Sequence, residues 1–105
     1  MREITCSTIT DAIKKMCIEA ATILPQDVEK ALSQKHDEED SALAKKTLQV
    51  LMDNAKLAQE KQMPICQDTG MAFVYVTMGQ EVHITGGSLN ETIQEGVRQG
   101  YTEGY

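Results

Sequence analysis

The sequence predicts an α+β fold, helix-rich in its N-terminal part, with a small antiparallel β-hairpin and a C-terminal helix. Three observations carry that expectation. Apolar residues recur at helical spacing through residues 9–24 and 43–58, a run rich in valine and aromatics fills residues 71–78, and Ser88 to Glu91 opens another periodic stretch. Residues 8–62 are therefore expected to be helical, 63–70 to turn, 71–85 to form the hairpin and 88–105 the last helix. Because the apolar period is still running at Tyr105, the chain reads as a truncated part of a larger domain.

Thr8 with Asp11 resembles a capping box, and Ile9, Ile13, Met16, Cys17, Ala20 and Leu24 follow at helical spacing, so the first helix is expected over Ile9 to Leu24. Pro25 suits a first helical turn. Val28, Ala31 and Leu32 give a short second helix that fades between Gln34 and His36. The acidic run Asp37 to Asp40 precedes the third helix, where carboxylates favour the positive N-terminal end; that reading outweighs a hard-cation site. Leu43, Leu48, Val50, Leu51, Ala55, Leu57 and Ala58 support the third helix, which Pro64 must end, near Gln62.

After the turn, Met71 to Met78 and Val82 to Thr85 read as two strands joined at Gly79-Gln80. The Gly86-Gly87 pair breaks the second strand, and Ser88-Leu89-Asn90-Glu91 caps the final helix. That helix carries two lines, an apolar ridge of Leu89, Ile93, Val97, Tyr101 and Tyr105 beside a glycine line of Gly96, Gly100 and Gly104. Each glycine costs about 1 kcal/mol relative to alanine in a helix interior, so the repeat points to close approach by another backbone or a ligand.

With 105 residues the chain is one domain or part of one, and its net charge of −6 argues against a polyanionic partner, so nucleic acid is not expected. No apolar run approaches a membrane span and the N-terminus lacks a signal-peptide pattern, so no membrane association and a cytoplasmic address are expected. Three widely spaced cysteines, Cys6, Cys17 and Cys66, do not form a disulfide framework.

Chemistry concentrates in Ile65-Cys66-Gln67-Asp68-Thr69-Gly70, which places a soft metal ligand, an amide, a carboxylate and a hydroxyl within four residues. Cys66 has three readings. Composition alone favours a packed thiol. A nucleophile wants nearby positive charge, whereas its neighbour is Asp68 and the local cation is Lys61, which makes that reading the weakest. A metal or iron-sulfur cluster would itself stabilise the thiolate. Cys17 lies on the apolar stripe of the first helix, Cys6 is uninformative, and no C-x-x-C pair specifies zinc or iron. His83, between Val82 and Ile84, is expected to face away from their side, and His36 to be solvated in a polar connection.

Pro64-Ile65-Cys66-Gln67-Asp68-Thr69-Gly70, the following run Met71 to Met78, Val82-His83-Ile84-Thr85-Gly86-Gly87-Ser88-Leu89 and the stretch Gly96 to Tyr105 closely resemble the N-terminal region of class I fumarate hydratases, including alpha subunits of two-subunit fumarate and tartrate dehydratases. The resemblance is strong from about Leu43 to Tyr105 and generic before that. It implies part of an oxygen-sensitive hydro-lyase with a 4Fe-4S cluster, reversibly hydrating fumarate to malate as in the tricarboxylic acid cycle, or acting on tartrate. A non-catalytic fragment that binds no cluster alone is the rival reading.

By this resemblance Cys66 is a metal ligand, one of three cluster cysteines, and Gln67 and Asp68 are substrate-binding residues beside it. Thr69 and Gly70 shape the turn. The other two cluster cysteines and the catalytic base are expected beyond Tyr105, so Cys6 and Cys17 are not promoted to ligands. The implied partners are a small dicarboxylate and a beta subunit or C-terminal domain, in an oligomer when complete. A dicarboxylate wants cationic clamps, yet Arg98 is the only arginine in this part of the chain, so further clamps are expected from outside it.

Overall fold

The structure, a computed structural model, describes residues 1–68 and 70–104. Its elements run β1 (Arg2–Thr5), α1 (Cys6–Thr22), α2 (Gln26–Glu38), α3 (Ala42–Lys61), β2 (Val82–Thr85) and α4 (Leu89–Glu103). They divide into two units, one of residues 1–19 with 68–105 and one of residues 20–67. The turn role expected of Thr69 and the place of Tyr105 on the last ridge lie outside the described residues.

In the first unit β1 and β2 form a two-stranded parallel sheet, with Arg2 opposite Val82 and Thr5 opposite Thr85. This corrects the expected antiparallel hairpin. Among the described residues, 71–78 join no ladder, and the partner of β2 is instead the N-terminal tetrapeptide, too short and too polar to announce itself. Strand propensity describes a residue's fit to a pleated, half-buried surface, so it cannot supply a partner. His83 is exposed between half-buried Val82 and Ile84, the alternation a one-sided strand imposes.

The first helix starts earlier than its apolar stripe because the cap is Thr5, whose Oγ1 accepts from the Thr8 amide at 3.4 Å. Ser88 caps α4 in the same way, accepting from the Glu91 amide at 3.2 Å. The buried face of α4 is Thr92, Gly96 and Gly100, while Leu89, Ile93, Val97 and Tyr101 flank it half-buried. A Cβ at Gly96 would sit 2.6 Å from Ile13 Cβ and 2.9 Å from the Thr10 carbonyl oxygen; one at Gly100 would sit 2.8 Å from Cys17 Cβ. The glycine line is thus where α1 approaches α4. Lys14 pairs with Glu103 across this contact, and Thr10 Oγ1 donates to the Thr92 carbonyl at 3.2 Å.

In the second unit α2 packs against α3. The α2 helix runs on through Glu38, so the acidic run is split: Asp37 and Glu38 belong to its last turn, and Glu39 and Asp40 lead to Ser41, which caps α3 by accepting from the Ala44 amide. Carboxylates in a last turn oppose the helix dipole. Gln34 and Lys35 offset this by donating to Glu38 at 3.0 and 3.1 Å, which also holds the Glu38 carboxyl below its ordinary range. His36 differs from the solvated connection expected of it. It lies in the last turn of α2 with a side chain only 20% exposed, its Nδ1 3.4 Å from Asp37.

Only part of the apolar pattern of α3 turns inward. Ala58 is buried and Leu48 and Ala55 are half-buried, whereas Leu43, Val50, Leu51 and Leu57 are exposed. Among the described residues, no helix is long and apolar enough to cross a membrane.

Candidate active-site turn

The turn begins where α3 stops. Gln62 takes the left-handed conformation, with φ of 53°, and its amide and that of Met63 both turn back to the Ala58 carbonyl. This is the Schellman type of ending, which satisfies carbonyls that a helix C-terminus leaves open. The Gln62 side chain adds a bond to the Gln59 carbonyl at 2.8 Å. The helix therefore closes by its own hydrogen bonds, and Pro64 follows the stop without having to force it.

Ile65 is then held at both backbone polar groups. Its amide donates to the Ala21 carbonyl at 2.8 Å, and its carbonyl accepts from Asn54 Nδ2 at 2.7 Å. The next residue is Cys66, which is exposed. Helices α1 and α3 thus fix the backbone from which the thiol projects, in the unit that holds Gln67 as well. Gln67 is also exposed. The division between units falls after it, and Asp68 belongs to the other one.

Asp68 uses Oδ1 to accept from the Gly70 amide at 3.1 Å, an Asx turn. Gly70 has φ of +56°, a conformation that suits glycine, and open space lies around the position of a Cβ there. Asp68 is itself exposed. The turn expected over residues 63–70 is thus explained in its described part by a helix cap, a clamped Ile65 and an Asx turn.

The other cysteines occupy different settings. Cys17 is half-buried on α1, where its Cβ meets the glycine line of α4, and burial pushes its thiol up. Cys6 opens α1, with its sulfur 3.6 Å from where a Gly87 Cβ would stand. Among the described residues, no group of three or more His, Cys, Asp or Glu side chains could hold a metal ion.

Arg98 is engaged on its own helix. Its Nε and a terminal guanidinium nitrogen donate to the two Glu95 carboxylate oxygens at 2.8 and 2.6 Å. The hydrogen bond from Arg98, with a second from Gln99, lowers the Glu95 carboxyl to about 2. The single arginine of this region is therefore matched by a carboxylate one turn away. Asn54 was not singled out by the sequence, since a mid-helix asparagine gives no local sign of a partner eleven residues on.

A family profile described as fumarate hydratase (Fumerase) matches residues 10–105, a span that includes the whole turn. The chain belongs to the fumarate hydratase (Fumerase) family. A Methanocaldococcus jannaschii protein named "Putative L(+)-tartrate dehydratase subunit alpha" is 36% identical over 96 residues, covering 90% of this chain and 34% of that protein. A Geobacillus stearothermophilus protein named "Putative fumarate hydratase class I" is 32% identical over 95 residues, which is 90% of this chain and 18% of that one. The L(+)-tartrate dehydratase subunit alpha of Escherichia coli strain K12 is 28% identical over 91 residues, 87% of this chain and 30% of its own length. The chain thus spans between 18% and 34% of the length of these relatives.

Proposed function

We propose that this fumarate hydratase family chain is part of a hydro-lyase that reversibly hydrates fumarate to malate, and that Cys66 is one of three thiolate ligands of its 4Fe-4S cluster. The observation that carries the reading is Cys66 itself, the one exposed cysteine of three, on a backbone clamped from both sides within the family match. The donor set fits one corner of such a group and no more. Cys17 packs against Gly100, Cys6 lies beside Gly87, and no group of three or more ligating side chains forms among the described residues, so on this reading the two remaining ligands come from polypeptide outside these residues. When bound, the cluster would supply an iron with an open position, a Lewis acid for a substrate hydroxyl and carboxylate.

The residues of this chain would do the positioning. Gln67 offers an amide to a substrate oxygen. The Asp68 carboxylate, oriented by its bond to the Gly70 amide, would accept from the substrate hydroxyl. Since Arg98 is already bound to Glu95, the cations that hold two substrate carboxylates come from a beta subunit or a C-terminal domain.

Two observations favour narrower alternatives. Two of the relatives described carry the name tartrate dehydratase subunit alpha, which makes tartrate the competing substrate. The lack of a multidentate group among the described residues favours a 105-residue chain that holds no cluster alone and acts as a non-catalytic piece. Anaerobic reconstitution with iron and sulfide tests both levels. Stoichiometric uptake by the 105-residue chain, abolished in Cys66→Ala, would overturn the non-catalytic reading. In the family-length protein, assayed on fumarate and on tartrate, Cys66→Ala should lose iron and activity together; retained activity would sink the ligand assignment.

A further inference from the structure

Residues 71–78, Met-Ala-Phe-Val-Tyr-Val-Thr-Met, carry no charge and no proline, and they are apolar at both odd and even positions apart from Thr77. In a strand these positions point to opposite faces, so such a run suits a strand covered on both sides, as in the interior of a sheet. Here they are open: Met71 is 74% exposed, Phe73 70%, Tyr75 91%, Val76 53% and Met78 51%. Among the described residues the segment joins no ladder, although it leads directly toward β2, whose sheet contains only β1 and β2. A two-stranded sheet is marginal in water, and an open apolar edge is a template for pairing.

We infer that residues 71–78 form a strand that docks onto the part of the family polypeptide lying outside this chain's match. Two considerations select that occupant over a second copy of the chain. Pairing of two such strands would satisfy one backbone edge of each and leave both apolar faces in water, whereas covering two faces takes a folded body. The relatives named alpha subunits have polypeptide enough to supply one, since the match accounts for only 34% and 30% of their lengths. The partner's chemistry follows: an unpaired strand edge flanked above and below by apolar side chains, with no need of charge opposite the segment.

The inference rests on family membership and does not use Cys66. Amide hydrogen exchange tests it on the chain alone and on a chimera in which residues 10–105 replace the matched segment of the Methanocaldococcus jannaschii protein. Amides 72–78 should exchange nearly freely in the chain alone and about 100-fold or more slowly in the chimera. Protection already present in the chain alone, as monomer or as concentration-dependent dimer, overturns the inference. So does free exchange in a chimera that melts cooperatively. If the chimera does not melt cooperatively, the corresponding segment of the Methanocaldococcus jannaschii protein is measured, where protection supports the docking and free exchange overturns it. Cys66→Ala in the chimera should leave the protection unchanged, so failure of the cluster reading and failure of the docked strand are separately visible.

Discussion

Asn54 on α3 and Ile65 in the turn are joined by a 2.7 Å hydrogen bond from the Asn54 amide to the Ile65 carbonyl, eleven residues along the chain and one residue before Cys66. With the Ala21 carbonyl holding the Ile65 amide, this bond makes the approach to the thiol a fixed backbone. Asn54→Ala should therefore loosen the turn while sparing α3, where alanine is a good helix former. A net hydrogen bond is worth about 1 kcal/mol, so the Ile65 and Cys66 amides should exchange about five-fold faster, with amides in the middle of α3 unchanged. Equal exchange in variant and parent would show that Asn54 does not hold the turn.

Gly96→Ala should destabilise the chain despite its helix propensity. The added Cβ meets Ile13 Cβ at 2.6 Å and the Thr10 carbonyl oxygen at 2.9 Å. Overpacking costs of 1–3 kcal/mol, of order ~2, exceed the ~1 kcal/mol that alanine returns as a helix former. Urea unfolding followed by circular dichroism should show a lower midpoint, whereas Gln94→Ala on the exposed side of α4 should leave it within about 0.5 kcal/mol. A midpoint at or above that of the parent for Gly96→Ala would overturn the close-approach reading.

The Glu95 carboxyl should titrate far below the ordinary carboxylate range. Arg98 and Gln99 hold it at about 2, against an ordinary 4.5. Because its folded value is depressed, the unfolded chain binds more protons in the intervening window; the contribution is fully present above about 4.5 and is lost as pH falls toward 2. Carboxyl carbon NMR should give a midpoint near 2 that returns upward in Arg98→Gln. A midpoint near 4.5 in the parent would mean that the pair is not formed in solution.

Cysteine substitutions should separate the three thiols. In the family-length protein, Cys6→Ala and Cys17→Ala should bind as much iron as the parent, while Cys66→Ala loses it. Thermal unfolding should move for Cys17→Ala, since its Cβ is part of the α1–α4 contact. Loss of iron in Cys17→Ala with unchanged unfolding would make Cys17 a ligand and overturn the assignment.

Ser88→Ala should cost α4 about 1 kcal/mol, the usual value of an N-terminal cap, because the Glu91 amide would lose its acceptor. The loss is checked by the same urea titration. No change would show that another group takes over the cap.

Local chemistry was legible wherever it is written in neighbouring residues. The Ser88 cap, the end of α3 near Gln62 and the close approach at the glycine line all follow from residues within one or two turns of each other. The parallel pairing of Arg2–Thr5 with Val82–Thr85 was not legible, because its two strands are separated by three helices and the N-terminal one is short. Residues 71–78 misled for a related reason. Their composition reports a wish for burial on two faces, and that says nothing about which polypeptide provides it. In the turn, the roles given to Cys66, Gln67 and Asp68 rest on a resemblance of sequence, whereas the hold of Asn54 and Ala21 on Ile65 could not be read there, since their partner is named only by the folded backbone.

Gly96 and Gly100 face the carbonyl oxygens of Thr10 and Lys14 as well as side chains, so trimming Ile13 or Cys17 cannot create room for a larger residue there. A compensating second substitution can relieve a side-chain clash, but it cannot move a peptide group without moving the helix. For anyone redesigning this chain, the contact between α1 and α4 is the reference distance to be left alone, and the exposed side of α4 is where sequence can be varied.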